Sequence, residues 1–245
     1  MASTPQSDAN TDYKAQLEQA QRELQSLTYA ISHDLRAPVR AITGFSQALK
    51  EEAGETLNPS CQHYLQRIEQ ATQRLSQMIE GLLKLSRLAQ ADLLPVQVDV
   101  GELCSGIAEE LQRQYPDHHP QLVVAPSIHA WADPILLRTA LRELLQNAWK
   151  FTQGRSDARI RVSADISSTD CITLGVHDNG IGFDMQYVDR LFVPFQHLQT
   201  KAELNGIGIG LACVQRIVSR HAGKVWVEAA PQQGAAFYMS LPRAQ

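Results

Sequence analysis

Hydrophobic positions in the first third of the chain follow a helical period. Leu17, Ala20, Leu24, Leu27 and Ile31 step by three and four with Gln, Glu and Arg between them, the a/d seam of a coiled coil. The spacing continues past Pro38 through Val39, Ile42, Phe45 and Leu49, which predicts one long helix kinked at the proline. Residues 53–60 (AGETLNPS) bring Gly, Asn and Pro together and predict a loop, with Ser60 as the N-cap of the next helix. In that helix Tyr64, Ala71, Met78 and Leu85 recur every seven residues, flanked by Leu65, Ile68, Leu75, Ile79 and Leu82. So wide a stripe suits a four-helix bundle better than a two-helix contact. One hairpin supplies only two helices, so a second copy of the chain is the expected source of the others. A monomeric hairpin packed on the rest of the chain is the alternative.

Beyond Leu94 the period becomes mixed. Alternation predicts strands over 95–100, 121–125, 129–131, 158–166, 171–177, 224–229 and 236–241. Helical spacing predicts helices over 101–114, from Pro134 to about Phe151, and over 210–221, with Asp133-Pro134 as N-cap and first helical residue. Helices and antiparallel strands in this order imply an α+β two-layer sandwich, helices covering one sheet face. Residues 1–12 are polar without period and are expected to be a disordered lead-in. The expected domains are then a helical hairpin over 13–92 and the sandwich over 93–245.

Composition narrows the class without naming it. A net charge of −4 and 20% charged residues give no basic field, so no nucleic-acid partner is expected. No apolar run reaches the ~20 residues that span a bilayer. Four cysteines far apart form neither a disulfide framework nor a zinc pattern, which fits a cytoplasmic protein. Trp131, Trp149 and Trp226 sit in apolar patterns and are expected in the core; the histidines other than His33 show no metal-ligand spacing.

Three clusters could carry chemistry. Asp178-Asn179-Gly180-Ile181-Gly182 follows a strand, and Gly206-Ile207-Gly208-Ile209-Gly210 opens a helix, where free N–H groups make an anion site. Neither tract matches a P-loop. Glu143, Asn147 and Lys150, at i, i+4 and i+7, share one helix face and offer a carboxylate, an amide oxygen and an ammonium to Mg²⁺ and a phosphate chain.

Taken together, five blocks resemble the sensor histidine kinases in order and spacing. They are Ser32-His33-Asp34-Leu35-Arg36-Ala37-Pro38, residues 143–152 (ELLQNAWKFT), residues 178–182 (DNGIG), residues 191–195 (LFVPF) and residues 206–212 (GIGIGLA). FQHLQT and GKVWVEAAP are similar to kinases joined to phytochrome or PAS-type sensors. The resemblance covers about residues 13–243. It implies autophosphorylation by ATP and Mg²⁺ followed by transfer to an Asp of a response-regulator receiver domain, with the upstream sensor expected to be absent from this chain. His33 would accept phosphate and Asp34 would orient and activate it. Asn147, with Glu143, would hold Mg²⁺, and Lys150 would meet a phosphate. Asp178 would accept from the adenine amino group, with Gly180 and Gly182 shaping the base pocket. Gly206, Gly208 and Gly210 would free the ATP lid, anchored by Phe192 and Phe195.

Three positions depart from the commonest family pattern. Glu143 stands where many relatives carry Asn; His197 stands where Arg is frequent, with Lys201 a possible substitute. Ala37 replaces a hydrogen-bonding residue, which implies weak phosphatase action on the partner. A weakly catalytic phosphotransfer scaffold and a gyrase-like ATPase are the other readings. One stereochemical difficulty stands: neighbouring residues on a helix point about 100° apart, so Asp34 need not face His33.

Overall fold

The computed structural model describes residues 5–54, 56–89, 92–196 and 206–243, with the side chains of the first helix continuous from Ser26. Leu17 and Leu24 of the expected seam fall outside the described side chains, and His197 and Lys201 outside the described residues. The chain divides into two compact units, Met1–Arg87 and Leu88–Gln245. The division lies a few residues before the expected one because Leu88 is buried and its carbonyl accepts from the Arg220 guanidinium (3.1 Å), a contact within the second unit.

The first unit is a hairpin of α1 (Pro5–Ala53) and α2 (Pro59–Leu88). α1 starts inside the stretch expected to be disordered. Proline suits a first helical turn, and each residue added to an existing helix gains a hydrogen bond without a new nucleation cost. Pro38 lies inside this helix. Gly54 ends it, since a side chain there would strike the carbonyl of Lys50. The cap of α2 is Asn58, not Ser60: its Oδ1 accepts from the Cys61 N–H (2.8 Å), which leaves Pro59 in the first turn, where a missing N–H costs nothing. The seam inside the hairpin follows steps of seven: Ser32, Val39 and Ser46 on α1, Leu65, Thr72 and Ile79 on α2, all buried. Val39, Ile79 and Leu83 form its apolar centre, and Lys50 pairs with Glu69 across it (2.9 Å). Ile31, Ile42, Phe45, Tyr64, Ile68 and Leu75 stay exposed on the single chain.

The second unit is a sandwich. Its sheet has the order β2 (Gln121–Val124), β4 (Arg159–Asp165), β5 (Cys171–Asp178), β7 (Ala235–Pro242), β6 (Val225–Ala229). The expectation of antiparallel strands fails at one edge. β2 and β4 run parallel, because β3 (His129–Ala132) and α4 (Pro134–Phe151) intervene and carry the chain back to the same end. β1 (Val96–Asp99) pairs with β3 in a separate two-stranded sheet. Strand alternation turns Ile160, Val162, Leu174, Val176, Phe237 and Met239 inward, where α3 (Val100–Gln114), α4 and α6 (Gly210–Arg220) complete the core. α3 packs on α4, and α4 on α6. Asp133 caps α4 as expected, accepting from the Ile135 and Leu136 N–H groups (3.0 Å each). Its own N–H donates to Nε2 of buried His221, which ties the start of α4 to the end of α6. Of the tryptophans only Trp149 is core. Trp131 and Trp226 fall on outward positions of their strands and are 38% exposed, Trp226 stacking on Tyr238 instead.

A candidate binding cavity and an exposed histidine

The last turns of α4, the end of β5 and the start of α6 converge on one cavity of about 280 Å³. Glu143, Asn147, Lys150, Asp178, Gly182, Gly206, Gly208 and Gly210 all line it. Gly180 and Phe195 are not among its lining residues, although their neighbours Ile181 and Gln196 are. α4 brings its polar face to the cavity because Leu137, Leu141, Leu144, Leu145 and Ala148 bury the opposite one.

One end is apolar around a single carboxyl group. Asp178 accepts from the N–H groups of Gly180 (2.8 Å) and Ala235, yet burial pushes its carboxyl up to about 6. Ile181 lies beside it, its N–H donating to the Phe151 carbonyl (3.2 Å). Gly180 and Gly182 pack against backbone: a side chain on Gly180 would stand 2.5 Å from the Phe151 carbonyl, and one on Gly182 (φ +56) would strike the Ala230 carbonyl.

The other end is polar. Half-buried Lys150 holds its ammonium 5.4 Å from the Phe151 ring centre and 3.7 Å from where a Cβ on Gly206 would be, and burial lowers its pKa. Loss of water from this cation favours an anionic partner. The Glu143 carboxylate lies at the N-terminus of α6, 2.5 Å from the place of a Cβ on Gly210. Glu143 and Asn147, one helical turn apart, bring a carboxylate and an amide oxygen to the cavity. Among the described residues no three acidic, His or Cys side chains form a cage, and Mg²⁺ characteristically takes one or two protein ligands and completes its shell with phosphates and water. Nearby, Phe195 is left-handed (φ +66) and its N–H donates to the Gly208 carbonyl (2.8 Å).

His33 and Asp34 belong to the other unit. Both are exposed, and Nδ1 of His33 lies 3.3 Å from Oδ1 of Asp34. Carboxylate oxygen only accepts, so the Nδ1–H donates and the Nε2 lone pair points away from Asp34.

A model of the His Kinase A (phospho-acceptor) domain matches residues 23–91, and one of the histidine kinase-, DNA gyrase B- and HSP90-like ATPases matches residues 132–245. The chain belongs to the sensor histidine kinases, as their catalytic core. This kinase core is 28% identical to the phytochrome-like protein Cph1 of Synechocystis over 226 residues, 92% of the chain and 30% of that relative. It is 30% identical to the phosphate regulon sensor protein PhoR of Pseudomonas aeruginosa over 238 residues, 94% of the chain and 52% of PhoR. The chain thus spans a third to a half of the length of these curated relatives. Full-length ShkA, solved in complex with AMPPNP, superposes with a TM-score of 0.64 at 25% identity, over 90% of the chain and 46% of ShkA.

Several lining residues have no role in the sequence pattern. Phe151 lies within one of the five blocks, and strand alternation marks Phe237 as inward. Gln146 lies in the same block as Phe151, on α4; Tyr115 carries no signal at all, since only the packing of α3 on α4 and the turn after α3 bring it to the cavity.

Proposed function

We propose that this kinase core transfers the γ-phosphate of ATP to Nε2 of His33 and passes it to an aspartate of a response-regulator receiver domain. The observation that carries this reading is the 3.3 Å contact between His33 Nδ1 and Asp34 Oδ1, on a helix of the phospho-acceptor family. Asp34 holds the tautomer whose Nε2 is nucleophilic. As the Nε2–P bond forms and the bond to the β-phosphate bridging oxygen breaks, ADP leaves and the Nδ1 proton moves to the Asp34 carboxylate.

The ATP reading rests on the cavity, and the complex of ShkA with a nucleotide analogue supports it. Asp178 accepts from the exocyclic amine of adenine, Lys150 meets a phosphate, and the N-terminus of α6 receives the triphosphate. Asn147 and Glu143 would hold Mg²⁺, which would neutralise charge on the phosphates. The exposed residues Ile42, Phe45, Ile68 and Leu75 fit a homodimeric four-helix bundle, which covers them. No helix among the described residues is long and apolar enough to cross a membrane, and a cytoplasmic site of action matches the supply of ATP. Alanine at 37 offers no side chain to place a water on a phosphorylated partner.

Incubation with γ-labelled ATP and Mg²⁺ tests the reading. Acid-labile, base-stable label on the wild-type chain that His33→Gln loses is the expected result. Phosphate release without label points to a gyrase-like ATPase, and neither product points to a scaffold.

A further inference from the structure

The turn that follows α3 reaches the cavity although no motif marks it. Pro116 cannot continue a helix and restrains the residue before it, so α3 stops at Gln114 and Tyr115 leaves the helical region (φ −124, ψ 69). Every backbone group of Tyr115 is then used. Its N–H donates to the Leu111 carbonyl (2.9 Å), and its carbonyl accepts from the His118 N–H (3.1 Å) and the Gln112 side chain (3.3 Å). With its main chain committed, what Tyr115 offers the cavity it lines is its aromatic side chain.

A second set of bonds fixes where that ring stands. His118 Nε2 lies 3.1 Å from Oγ1 of Thr152, a fully buried residue. The Thr152 hydroxyl hydrogen goes to the Ala148 carbonyl (2.7 Å), so the hydroxyl oxygen accepts from an Nε2–H of His118. Burial lowers the pKa of His118, consistent with a neutral ring in this role. Thr152 directly follows Phe151, whose carbonyl holds Ile181. The turn from Tyr115 to His118 is thereby tied to the end of α4 beside Phe151, whose carbonyl accepts from Ile181 at the Asp178 end of the cavity.

From this placement we infer that Tyr115 contacts the adenosine half of the bound nucleotide through its ring and is a determinant of nucleoside affinity. The inference rests on the ATP reading of the cavity. An uncharged aromatic ring has little to give a triphosphate, whereas a purine or ribose face can pack against it. His118 and Thr152 act through Tyr115 and are positioning residues.

The test compares nucleoside with bare phosphate. Binding of ATP, and competition by inorganic tripolyphosphate, are measured on the full chain for wild type, Tyr115→Phe, Tyr115→Leu and Tyr115→Ala. Tyr115→Leu fills the space without an aromatic face, so the question survives if the alanine variant does not fold. The Leu and Ala variants should raise the Kd for ATP by about fivefold or more, the lower end for losing a base stacked on an aromatic. Tripolyphosphate should bind as before, KM for ATP should rise with kcat held, and Tyr115→Phe should restore ATP affinity. Equal ATP affinity in wild type and Tyr115→Leu overturns the inference, as does parallel weakening of ATP and tripolyphosphate. A wild-type chain that binds tripolyphosphate but not ATP overturns the nucleotide reading itself.

Discussion

The N–H of Phe195 donates to the carbonyl of Gly208 across 2.8 Å, joining the two ends of the segment that runs from the short α5 (Val188–Leu191) to α6. Both residues are left-handed, φ +66 and +72, a conformation that costs Phe195 of order 1–3 kcal/mol and glycine almost nothing. A Cβ on Gly208 would also stand 2.6 Å from the Gln196 carbonyl oxygen. Gly208→Ala should therefore open this neck and weaken ATP binding by roughly tenfold, while the melting temperature moves less than about 2 °C because the neck carries none of the core. Titration with a fluorescent ATP analogue, paired with thermal unfolding, checks both. Unchanged affinity would show that the neck does not shape the site.

Asp178 links the site to pH. Its carboxyl is raised from 3.8 to about 6 by burial, so below about pH 6 the group protonates and loses acceptor capacity toward an adenine amine. ATP affinity should fall as pH drops through 6, and Asp178→Asn should bind weakly with no such dependence.

The same shift acts on stability with the opposite sign. A raised folded-state pKa means that the folded chain holds this proton more tightly. The stability it gives is fully present below about pH 4 and lost as pH rises through 6. Removing the buried charge should then stabilise the apo chain at pH 7, by about 1–2 kcal/mol for Asp178→Asn in denaturant unfolding. A destabilised variant would mean that the carboxylate is held more by its backbone donors than it is penalised by burial.

Asp34→Asn tests the acid/base role next to His33. The amide keeps the size of the carboxylate but cannot take the Nδ1 proton, so initial autophosphorylation should drop on the order of 10²-fold with ATP affinity unchanged. Radiolabel incorporation at early times, read beside equilibrium ATP binding, separates the two. A rate within threefold of wild type, roughly the noise of such an assay against that expectation, would remove Asp34 from the proton path.

Ser32, next to the phospho-acceptor, is fully buried, and its hydroxyl has no hydrogen-bond partner among the described residues. An unsatisfied buried hydroxyl costs about 1–3 kcal/mol, so Ser32→Ala should stabilise the chain by about 1 kcal/mol at fixed protein concentration. Denaturant midpoints decide it, and a loss of stability would reveal a partner for the hydroxyl.

Local physics made much of this legible in the sequence. Steps of three and four built α1 and α2, alternation built the strands, and Asp133-Pro134 set the start of α4 to the residue. The spacing of Glu143, Asn147 and Lys150 placed all three on the cavity, because a helix with one leucine-rich face must turn the other outward. The glycines were recognisable as close approaches, and a Cβ on Gly180 or Gly182 would meet backbone carbonyls. The choice of Asn58 over Ser60 as a cap was beyond composition, since both residue types cap helices and only the path of the loop selects one.

Tertiary structure decided the rest. The parallel edge of β2 on β4 depends on where the chain returns after α4, which no strand pattern encodes. Trp131 and Trp226 read as core until strand register put them on the outer faces. Asp178 and Tyr115 lie 63 positions apart, and their common cavity exists only because α3 packs on α4. The contact of His33 with Asp34 is the sharpest case. Helical geometry points neighbouring side chains apart, and only rotamers adopted on an exposed face bring the ring and the carboxylate to 3.3 Å. Sequence determined which groups carry the chemistry through periodicity and residue type, both short-range properties. Which groups meet was set by long-range packing, because distances between elements depend on how the whole core fills.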